Sequence, residues 1–478
     1  MSSIAIIGGG VAGVTTALHL GSLGFNVTLF ERERSLINGP PFCHLHAGGN
    51  LYREISDEQC IKLLKQSIDF AKFYPFVVDY RPTVIAIPAT DPSSPKKLLG
   101  RLELLKTAYQ KLIDDDPSNE CLGESQYYYR CYTLEDIKQL KQQEIVAKPQ
   151  NQDEWMIPVA HNLDMQKVQF PLIMVSEYGL NLFRLASGVK LAIEKIPTIK
   201  LSLGSSVTDI ERSDSWEVSS LCDGVYHKDN FEYIINAAGF RTGKIDDMIG
   251  VPCKKMVEFK SAYVTHCEKY TDLQFPEIIF HGERGTPRGM GQFTPYPNGY
   301  FQLHGMTNDI TLYPDGLVAS TSLSCQPKLH QNFIEKIEKA WSPKEVEERS
   351  SRAIAHLSQF LPNFKDAKVG SKPLFGAQQI TGDDPTLRVA EVSFPTAYYA
   401  RCEIVKVSSV IDMVESIGQE LYRLHLSKSI SKVDFDLMRE IKESEIAAEA
   451  KVICRQREYP EDLGERGRAE INPKTISA

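Results

Sequence analysis

Hydrophobic residues near the amino terminus predict a strand, a helix and a second strand in close succession. Segment 4–7 is a short apolar run, which is typical of a strand buried on both faces of a sheet. The apolar residues of segment 17–23 recur at helical spacing, and Gly24 is the residue type that ends a helix. Segment 27–30 predicts the next strand, so the chain opens with a strand–helix–strand unit.

A glycine motif lies between that first strand and the helix. Gly8, Gly10 and Gly13 form G-x-G-x-x-G, in which the first glycine permits the tight turn and the second lets backbone approach a pyrophosphate. The third glycine lets the helix pack closely on the strand. Glu31 ends the second strand, where a carboxylate can accept the hydroxyl groups of an adenosine ribose. We therefore predict that a dinucleotide containing ADP binds here.

The same patterns predict further elements along the chain. Strands are predicted at 83–87, 199–203, 206–211, 216–220, 233–239 and 387–392, and helices at 57–73, 98–113, 182–196, 401 to about 418, and 433–453. The three strands between 199 and 220 resemble a β-meander. The last twenty or so residues are rich in Glu, Arg, Pro and Gly, which predicts a loosely held tail.

Segment 284–305 predicts a β-hairpin whose turn contains Asn298 and Gly299, because Asn-Gly readily adopts the positive φ angles of a tight turn. Polar and aromatic residues alternate on its strands, a pattern that could form a sheet face over a ligand. Arg284 and Arg288 could clamp a carboxylate, since a guanidinium offers paired donors in a fixed fork. The alternative is that both arginines lie on the surface of a structural hairpin.

Charge and composition exclude some partners. The chain has 478 residues, 42% of them hydrophobic, and is long enough for two or three domains or one interrupted domain. Its formal net charge of −8 gives no overall attraction to nucleic acid, so we expect no nucleic-acid partner. No apolar stretch approaches the ~18 residues of a membrane span. Peripheral membrane contact stays open, although no basic amphipathic helix supports it.

The cysteines and the early first strand bear on location and metals. Ten cysteines are scattered without a C-x-x-C pair, which suits reduced thiols in the cytoplasm. They give no support for zinc or an iron–sulfur cluster, and the acidic run 114–116 is better explained as a solvated turn, so we predict no metal. The first strand begins too early to leave room for a leader peptide, and we predict a cytoplasmic location.

A Gly- and His-rich loop at 42–52 has neither helical nor strand periodicity. Long irregular loops in compact domains tend to be functional. In the simpler interpretation, His44 and His46 are loop histidines that bond to backbone. In the alternative, this backbone runs along the cofactor, with His46 near the cofactor's reactive end.

These motifs together resemble the FAD-dependent oxidoreductases of the D-amino-acid-oxidase superfamily. The matching elements, which follow the family's order and span roughly half the chain, are Gly8/Gly10/Gly13 with Glu31, His46-Ala47-Gly48, Gly179-x-Asn181, Val207-x-x-Ile210 and Asn236-Ala237-Ala238-Gly239. The His-Ala-Gly loop is similar to that of 2-hydroxyglutarate oxidases and to the His-Ala-Ala stretch of malate:quinone oxidoreductases. The C-terminal glycine-rich flavin loop of typical members is absent, and residues 399–404 stand in its place.

The resemblance implies FAD as cofactor and a role for each matching residue. The acidic strand end would hold the ribose, Val207 would contact adenine through its backbone, and the Ala-Ala-Gly turn would lie beside the pyrophosphate. His46 is a candidate for covalent flavin attachment, as in dimethylglycine and sarcosine dehydrogenases. The predicted cofactor-binding residues are Gly8, Gly10, Val11, Ala12, Gly13, Glu31, Arg32, His46, Ala47, Gly48, Val207, Ala237, Ala238 and Gly239. The predicted catalytic residues are His46, His304 and Arg288.

We predict an α/β fold: a Rossmann-like FAD-binding domain with an interleaved α+β substrate domain built on a mixed or antiparallel sheet. The predicted segments are 1–80, 166–254 and 351–425 for the FAD domain, 81–165 and 255–350 for the substrate domain, and 426–478 for a helical, charged extension. A helix amino terminus near residue 401 would stabilise negative charge on the flavin's pyrimidine ring.

The predicted reaction is oxidation of a C–H bond in a small 2-hydroxy acid or amino acid, by hydride transfer to flavin. Oxygen, quinone or another acceptor would then take the electrons. Two alternatives stay open. One is an NAD(P)-dependent oxidoreductase that uses the same glycine motif, and the other is a non-catalytic protein that binds or senses flavin. The long return from residue 40 to the Ala-Ala-Gly strand disfavours the first, because a nicotinamide domain normally continues with further βαβ units.

Overall fold

The computed structural model describes residues 2–45, 55–387, 389–430 and 432–467. The helices in chain order are α1 Val11–Ser22, α2 Asp57–Phe73, α3 Lys96–Asp115, α4 Leu134–Leu140, α5 Gln152–Asn162, α6 Leu182–Glu194, α7 Thr242–Ile249, α8 Gln331–Glu338, α9 Pro343–Ser358, α10 Val410–Arg423 and α11 Glu443–Gln456. The strands are β1 Ser3–Ile7, β2 Asn26–Glu31, β3 Val78–Asp79, β4 Thr83–Pro88, β5 Tyr129–Tyr132, β6 Val168–Val175, β7 Gly179–Leu180, β8 Ile199–Leu203, β9 Ser205–Arg212, β10 Trp216–Cys222, β11 Val225–Phe231, β12 Tyr233–Asn236, β13 Lys255–His266, β14 Glu277–Phe280, β15 Gly291–Pro295, β16 Tyr300–Gly305, β17 Leu317–Ala319, β18 Lys368–Val369, β19 Leu374–Thr381, β20 Val392–Thr396 and β21 Tyr399–Cys402.

A six-stranded sheet with the order β20-β21-β12-β1-β2-β8 carries the glycine motif. Its strands pair in parallel except at the β20 edge, which is antiparallel. The central strand β1 is buried on both faces, as its apolar run predicts. Because β1, β2 and β12 run the same way, their carboxyl ends meet at one edge of the sheet, which is where doubly wound folds bind ligands.

A second, larger sheet has the order β17-β13-β16-β15-β14-β4-β6-β5, with β18 and β19 also paired to β13. Most of its pairs are antiparallel, while β14 and β4 run in parallel. The predicted hairpin is confirmed as β15 and β16, and its turn places Asn298 at φ 56°. The predicted fold class is therefore confirmed: a Rossmann-like α/β unit accompanied by a mixed sheet.

The predicted β-meander is wrong in its membership. Strand β8 pairs in parallel with β2 at the edge of the first sheet, and the three-stranded meander consists of β9, β10 and β11. Strand β11 is mostly exposed and polar, so it lacks the alternating pattern that would have predicted a strand. The apolar residues of β8 are compatible with an edge strand of the six-stranded sheet or of the meander. Which of the two sheets β8 joins depends on its pairing with a strand distant in sequence.

Two predictions in the carboxyl-terminal third are wrong in position. The region expected to open a helix at 401 instead ends strand β21, which pairs with β12, and α10 begins only at Val410 after a 3-10 turn. The strand expected at 387–392 lies later, as β20. Pairing with the buried β12 overrides the local helical pattern, since all four residues of β21 are buried.

The final helix and the tail also differ from prediction. The helix expected from 433 begins at Glu443. At the predicted start the Asp434 carboxylate accepts the backbone N–H of Asp436, a local bond that competes with helix formation there. The beginning of the expected loose tail is docked: the Asn181 side chain donates to the backbone carbonyls of Leu463 and Glu465. Residues 468–478 lie outside the described residues.

The domain boundaries stay a prediction. The first sheet draws strands from three separated stretches of chain. Strand β19 falls within the predicted range 351–425 for the FAD domain but pairs with β13 in the second sheet. No helix within the described ranges has the length and apolar content needed to cross a bilayer.

Candidate active site

A cavity of about 610 Å³ opens at the carboxyl ends of β1, β2 and β12. We call it the dinucleotide cavity. The predicted cofactor residues that line it are Gly8, Gly10, Glu31, Arg32, Val207, Ala237, Ala238 and Gly239. They come from four strand ends far apart in sequence, and the fold brings them together as the sequence motifs predict.

The glycines of the motif have distinct mechanical roles. Gly8 has a φ of +112°, and a Cβ there would lie 2.4 Å from the Ala237 carbonyl oxygen. A Cβ on Gly13 would lie 1.8 Å from the Gly8 carbonyl oxygen, so this residue serves packing and lines neither cavity described here. Gly10 differs, since no described atom lies within 4 Å of its Cβ position. A side chain there would project into the space open to a ligand.

The amino terminus of α1 faces the same cavity. Gly10 is its N-cap, and no side chain caps the helix. The first N–H groups of a helix lack intrahelical partners and carry partial positive charge, so they are suited to a phosphate. Gly239, which also lines the cavity, likewise has no described atom within 4 Å of its Cβ position. The donor set and the open cradle fit a pyrophosphate.

Glu31 lines the same cavity beside the glycine motif. Its carboxylate accepts the backbone N–H of Gly9 at 2.6 Å and that of Glu33 at 2.8 Å. Burial raises the pKa of Glu31, and the two backbone donors oppose that rise. Arg32 is half-exposed and pairs with Glu33 at 2.9 Å. The carboxylate is held at the end of β2, and its contact with an adenosine ribose stays a prediction.

A second cavity of about 270 Å³ continues from the first. We call it the reaction cavity. Gly10, Ala237 and Gly239 line both cavities, while Val11 and Ala12 line the second only. Its opposite wall is the face of the second sheet, with residues from β13, β15 and β16. A dinucleotide could therefore lie along the first cavity and present its reactive end in the second.

His304 is a predicted catalytic residue that lines the reaction cavity. Its Nδ1 lies 3.3 Å from the Ser261 carbonyl oxygen, so a neutral imidazole donates from Nδ1 and keeps a lone pair on Nε2. Burial, followed by the charge of Lys260, lowers the pKa of His304 to about 4. The His304 imidazole is therefore neutral at pH 7, and its Nε2 could accept a hydrogen bond from a ligand in the cavity.

The other predicted catalytic residues are not assembled in this cavity. Arg288 is exposed and lines neither cavity, so the predicted arginine clamp is not formed. Arg284 is also exposed and pairs with Glu258. The hairpin loop between β14 and β15 carries both arginines outward, which sequence pattern alone could not exclude. His46, Ala47 and Gly48 lie outside the described residues.

Sequence reasoning missed a buried charged network at the cavity wall. His44 and Glu277 are fully buried and pair at 2.5 Å, and Arg81 binds the other carboxylate oxygen of Glu277 at 2.8 Å. Burial alone would raise the pKa of Glu277, but His44 and Arg81 outweigh it and lower that pKa to about 2. Burial would lower the pKa of His44, which the Glu277 carboxylate instead raises well above its ordinary value.

The network reaches the reaction cavity through Gln292, which lines it and donates to Glu277 at 2.6 Å. Gln292 also donates to the Cys43 sulfur at 2.8 Å. Cys43, His44 and Glu277 offer ligand-type atoms within 4.8 Å of one another. The neighbouring guanidinium disfavours a cation there, because it adds positive charge beside the one carboxylate. The absence of a metal stays a prediction.

Comparisons with known proteins bear on the fold and on the cofactor. A family model described as FAD dependent oxidoreductase (DAO) matches residues 3–103. The fold is similar to that of glycine oxidase from Geobacillus kaustophilus, at 11% identity and a TM-score of 0.57, covering 92% of this chain and 100% of that one. L-amino acid deaminase from Proteus vulgaris is similar at 12% identity and 0.58, covering 92% and 96%.

A third similar structure is L-alpha-glycerophosphate oxidase from Mycoplasma pneumoniae with FAD bound, at 14% identity and a TM-score of 0.57, covering 91% of this chain and 98% of that chain. No curated protein matches the chain in sequence. The family match over residues 3–103, the fold and the cavity agree with the predicted class of protein, an FAD-dependent oxidoreductase. The prediction of FAD is confirmed, and the nicotinamide and non-catalytic alternatives are set aside.

Proposed function

We propose that this enzyme oxidises a C–H bond of a small anionic substrate, a 2-hydroxy acid or an amino acid. The observation that carries the proposal is the charge of the reaction cavity. Among its described lining residues, Lys260 and Lys406 are basic and none is acidic. Lys260 also pairs with Glu258, which does not line the cavity. A carboxylate entering this space would therefore approach both ammonium groups without meeting an acidic lining residue.

The remaining polar lining consists of neutral groups. Gln292, Gln302 and His304 project from the second sheet, and Gln378 and Gln379 come from β19. These side chains can hydrogen-bond a hydroxyl or amino group beside the carboxylate. Apolar contacts come from Met290, Met306, Phe42, Phe240 and Ile404. The mixture of two cations, amides and apolar surface fits a small, carboxylate-bearing molecule.

FAD, when bound, supplies the acceptor for the hydride that leaves the substrate carbon. The residues of this chain orient the substrate and set its protonation. Lys260 would bind the carboxylate, and the Nε2 lone pair of His304 would accept a hydrogen bond from the hydroxyl or amino group. Lys406 precedes the 3-10 turn that leads into α10, so its cation and that helix terminus place positive charge at the same end of the cavity.

The names of the similar structures are compatible with an anionic substrate. They concern glycine, an L-amino acid and a glycerophosphate, and each of these carries a carboxylate or a phosphate. The finer resemblance to 2-hydroxyglutarate oxidases and malate:quinone oxidoreductases rests on residues 46–48. We retain it as a proposal, together with oxygen, quinone or another acceptor as the reoxidant. A cytoplasmic location also stays a prediction.

A paired substitution tests the anionic-substrate proposal. Lys260→Met removes a cavity cation, and Arg284→Met removes the exposed cation on the other side of Glu258, to which both residues pair. We expect K260M to raise the KM for a 2-hydroxy or amino acid by about 10- to 100-fold, since hydrogen bonds between charged groups contribute about 1.5–3 kcal/mol. R284M should change KM by about twofold or less.

The measurement is steady-state kinetics over a panel of hydroxy acids, amino acids and neutral alcohols of the same carbon skeleton. The proposal predicts that K260M loses its preference for the acids over the neutral compounds. Equal KM increases for the acid and its neutral analogue would contradict carboxylate binding by Lys260. A wild-type enzyme that oxidises neutral alcohols as readily as the acids would contradict the substrate class itself.

A further inference from the structure

The carboxyl-terminal extension returns to the first sheet and docks against α6. The Ser187 hydroxyl donates to the Ile446 carbonyl at 2.8 Å, and Lys190 pairs with Glu449 at 2.7 Å. Leu463 is fully buried, and its carbonyl accepts the Asn181 side chain at 2.8 Å. These contacts fix α11 and the residues that follow it beside the wall of the dinucleotide cavity.

Arg457 directly follows α11 and lines the dinucleotide cavity. Its guanidinium donates to the Ile37 carbonyl at 2.9 Å, to the Ser35 hydroxyl at 3.2 Å and to the Leu36 carbonyl. These acceptors belong to the loop that follows Glu31. The Nε atom is buried and has no hydrogen-bond partner among the described residues. A buried donor without a partner is costly, so it points to a ligand.

The charge of Arg457 is compensated only in part: the Glu31 carboxylate favours the charged form but makes no ion pair with it. Burial lowers its pKa to about 10, and within the described part of the chain no carboxylate forms an ion pair with it. Other cations that line the cavity are neutralised: Arg34 pairs with Asp223, Arg241 with Glu338 at 2.7 Å, and Lys372 with Glu458 at 2.9 Å. Lys244 is exposed.

Tyr459 holds the same wall in place. Its ring contacts Phe183 at a centroid distance of 5.4 Å, and its hydroxyl donates to the Pro373 carbonyl at 2.7 Å. Both Phe183 and Tyr459 line the dinucleotide cavity. The segment is therefore anchored on either side of Arg457, and the guanidinium is held at the cavity rather than free to turn to solvent.

We propose that Arg457 binds the phosphate groups of FAD, which makes the carboxyl-terminal extension part of the cofactor site. The glycine motif contributes backbone N–H groups and a helix dipole but no full positive charge. Arg457 supplies that charge opposite the α1 terminus, and a phosphate oxygen satisfies its Nε–H. The inference rests on the cofactor and not on the proposed substrate, so the two can fail separately.

The test compares Arg457→Met with Arg455→Met in the full-length protein. Arg455 lies two residues earlier, is exposed and pairs with Glu461 at 2.6 Å, so it controls for loss of a cation from the same segment. Dissociation of FAD is measured by the recovery of flavin fluorescence on dilution of the holoenzymes. We expect R457M to raise the dissociation constant about 10- to 100-fold, and R455M to change it by about twofold or less.

Two competitors identify the group that Arg457 contacts. ADP contains the two phosphates, and riboflavin contains none. R457M should weaken binding of ADP by about the same factor as FAD, while the affinity for riboflavin stays unchanged. If R457M weakens riboflavin equally, or leaves FAD within about twofold of wild type, Arg457 acts only as an anchor for loop 35–37 and the proposal is wrong.

A second variant guards against misfolding of R457M. Arg457→Lys keeps the charge and loses the planar fork, so it should retain the fold and bind FAD with intermediate affinity. If R457M unfolds, R457K replaces it in the competition experiment, and equal losses of affinity for ADP and riboflavin in R457K would overturn the proposal. Urea unfolding of the FAD-free proteins provides the remaining check. R457M loses the hydrogen bonds to loop 35–37 and should be less stable than wild type, so FAD affinities are compared only under conditions in which each apoprotein is folded.

Discussion

At the scale of single residues, the sequence predicts the cofactor side of the site better than the substrate side. Gly8, Gly10 and Glu31 were predictable because each occupies a fixed position in a local motif whose geometry is known. The His44–Glu277 pair was not, since its members lie 233 positions apart and only the fold brings them together. Arg457 was missed for the same reason, within a segment that sequence composition made look like free tail.

A histidine substitution tests the acceptor role proposed for His304. Its lowered pKa of about 4 means that the imidazole is neutral at higher pH and gains a proton as the pH falls through about 4. The rate of flavin reduction by substrate should therefore fall as the pH drops through about 4, which gives the pH–rate profile an acid limb. His304→Gln should reduce the rate at neutral pH by about 10²-fold or more, the lower end of contributions from proton-transfer groups, and should abolish the acid limb.

Anaerobic stopped-flow measurement of flavin reduction from pH 3.5 to 7 gives this result directly. His356→Gln is the matched control, because His356 is a partly buried histidine that bonds the Gly289 carbonyl at 3.0 Å and lines neither cavity. An unchanged reduction rate in H304Q would remove His304 from the mechanism. Equal losses in H304Q and H356Q would indicate a general effect on the second sheet instead.

At the scale of elements, the local hydrophobic pattern correctly predicts the helices and strands whose packing partners lie close to them in sequence. The first strand–helix–strand unit, helix α2 and the β15–β16 hairpin form where their own residues predict them. The errors share a cause. The sheet to which β8 belongs, the position of β21 and the start of α10 all depend on pairing with strands that are distant in sequence. Strand β21 is set by pairing with β12, which lies more than 150 positions earlier.

Glycine substitutions separate packing from ligand binding within the first element pair. Gly13→Ala places a methyl group 1.8 Å from the Gly8 carbonyl oxygen and should destabilise the FAD-free protein by about 1–3 kcal/mol, as overpacking does. Gly10→Ala meets no described atom and should leave that stability within about 1 kcal/mol of wild type. It should nevertheless weaken FAD binding, because its methyl group enters the cofactor's space.

Urea unfolding and FAD titration of the two variants test this distinction. Gly100→Ala serves as the control, since Gly100 lies within α3, far from the motif in sequence, and its Cβ position is also open. That change should stabilise the protein by about 0.5–1 kcal/mol and leave FAD affinity unchanged. Normal FAD affinity in G10A would contradict the placement of the pyrophosphate against the α1 terminus.

At the scale of the whole molecule, the two cavities adjoin each other, and Gly10, Ala237 and Gly239 are among the residues that line both. The first sheet lines the dinucleotide cavity, the second sheet forms one wall of the reaction cavity, and Arg457 and Tyr459 of the carboxyl-terminal extension line the dinucleotide cavity. The sequence predicted one mostly parallel sheet and one mixed sheet, because the spacing of the strands along the chain and the helices that connect them differ between the two. It could not predict the shape or charge of the space between them, which arises from residues on strands that are distant in sequence.

The most direct measurement of the central claim is the visible spectrum of the purified protein during anaerobic addition of candidate substrates. The account predicts a flavin spectrum that is bleached by a 2-hydroxy acid or an amino acid, and recovers when an electron acceptor is admitted. Neutral alcohols of the same skeleton should bleach it far more slowly. A protein that is colourless and takes up no added FAD, or a bound flavin that neither class of acid reduces, would contradict the account.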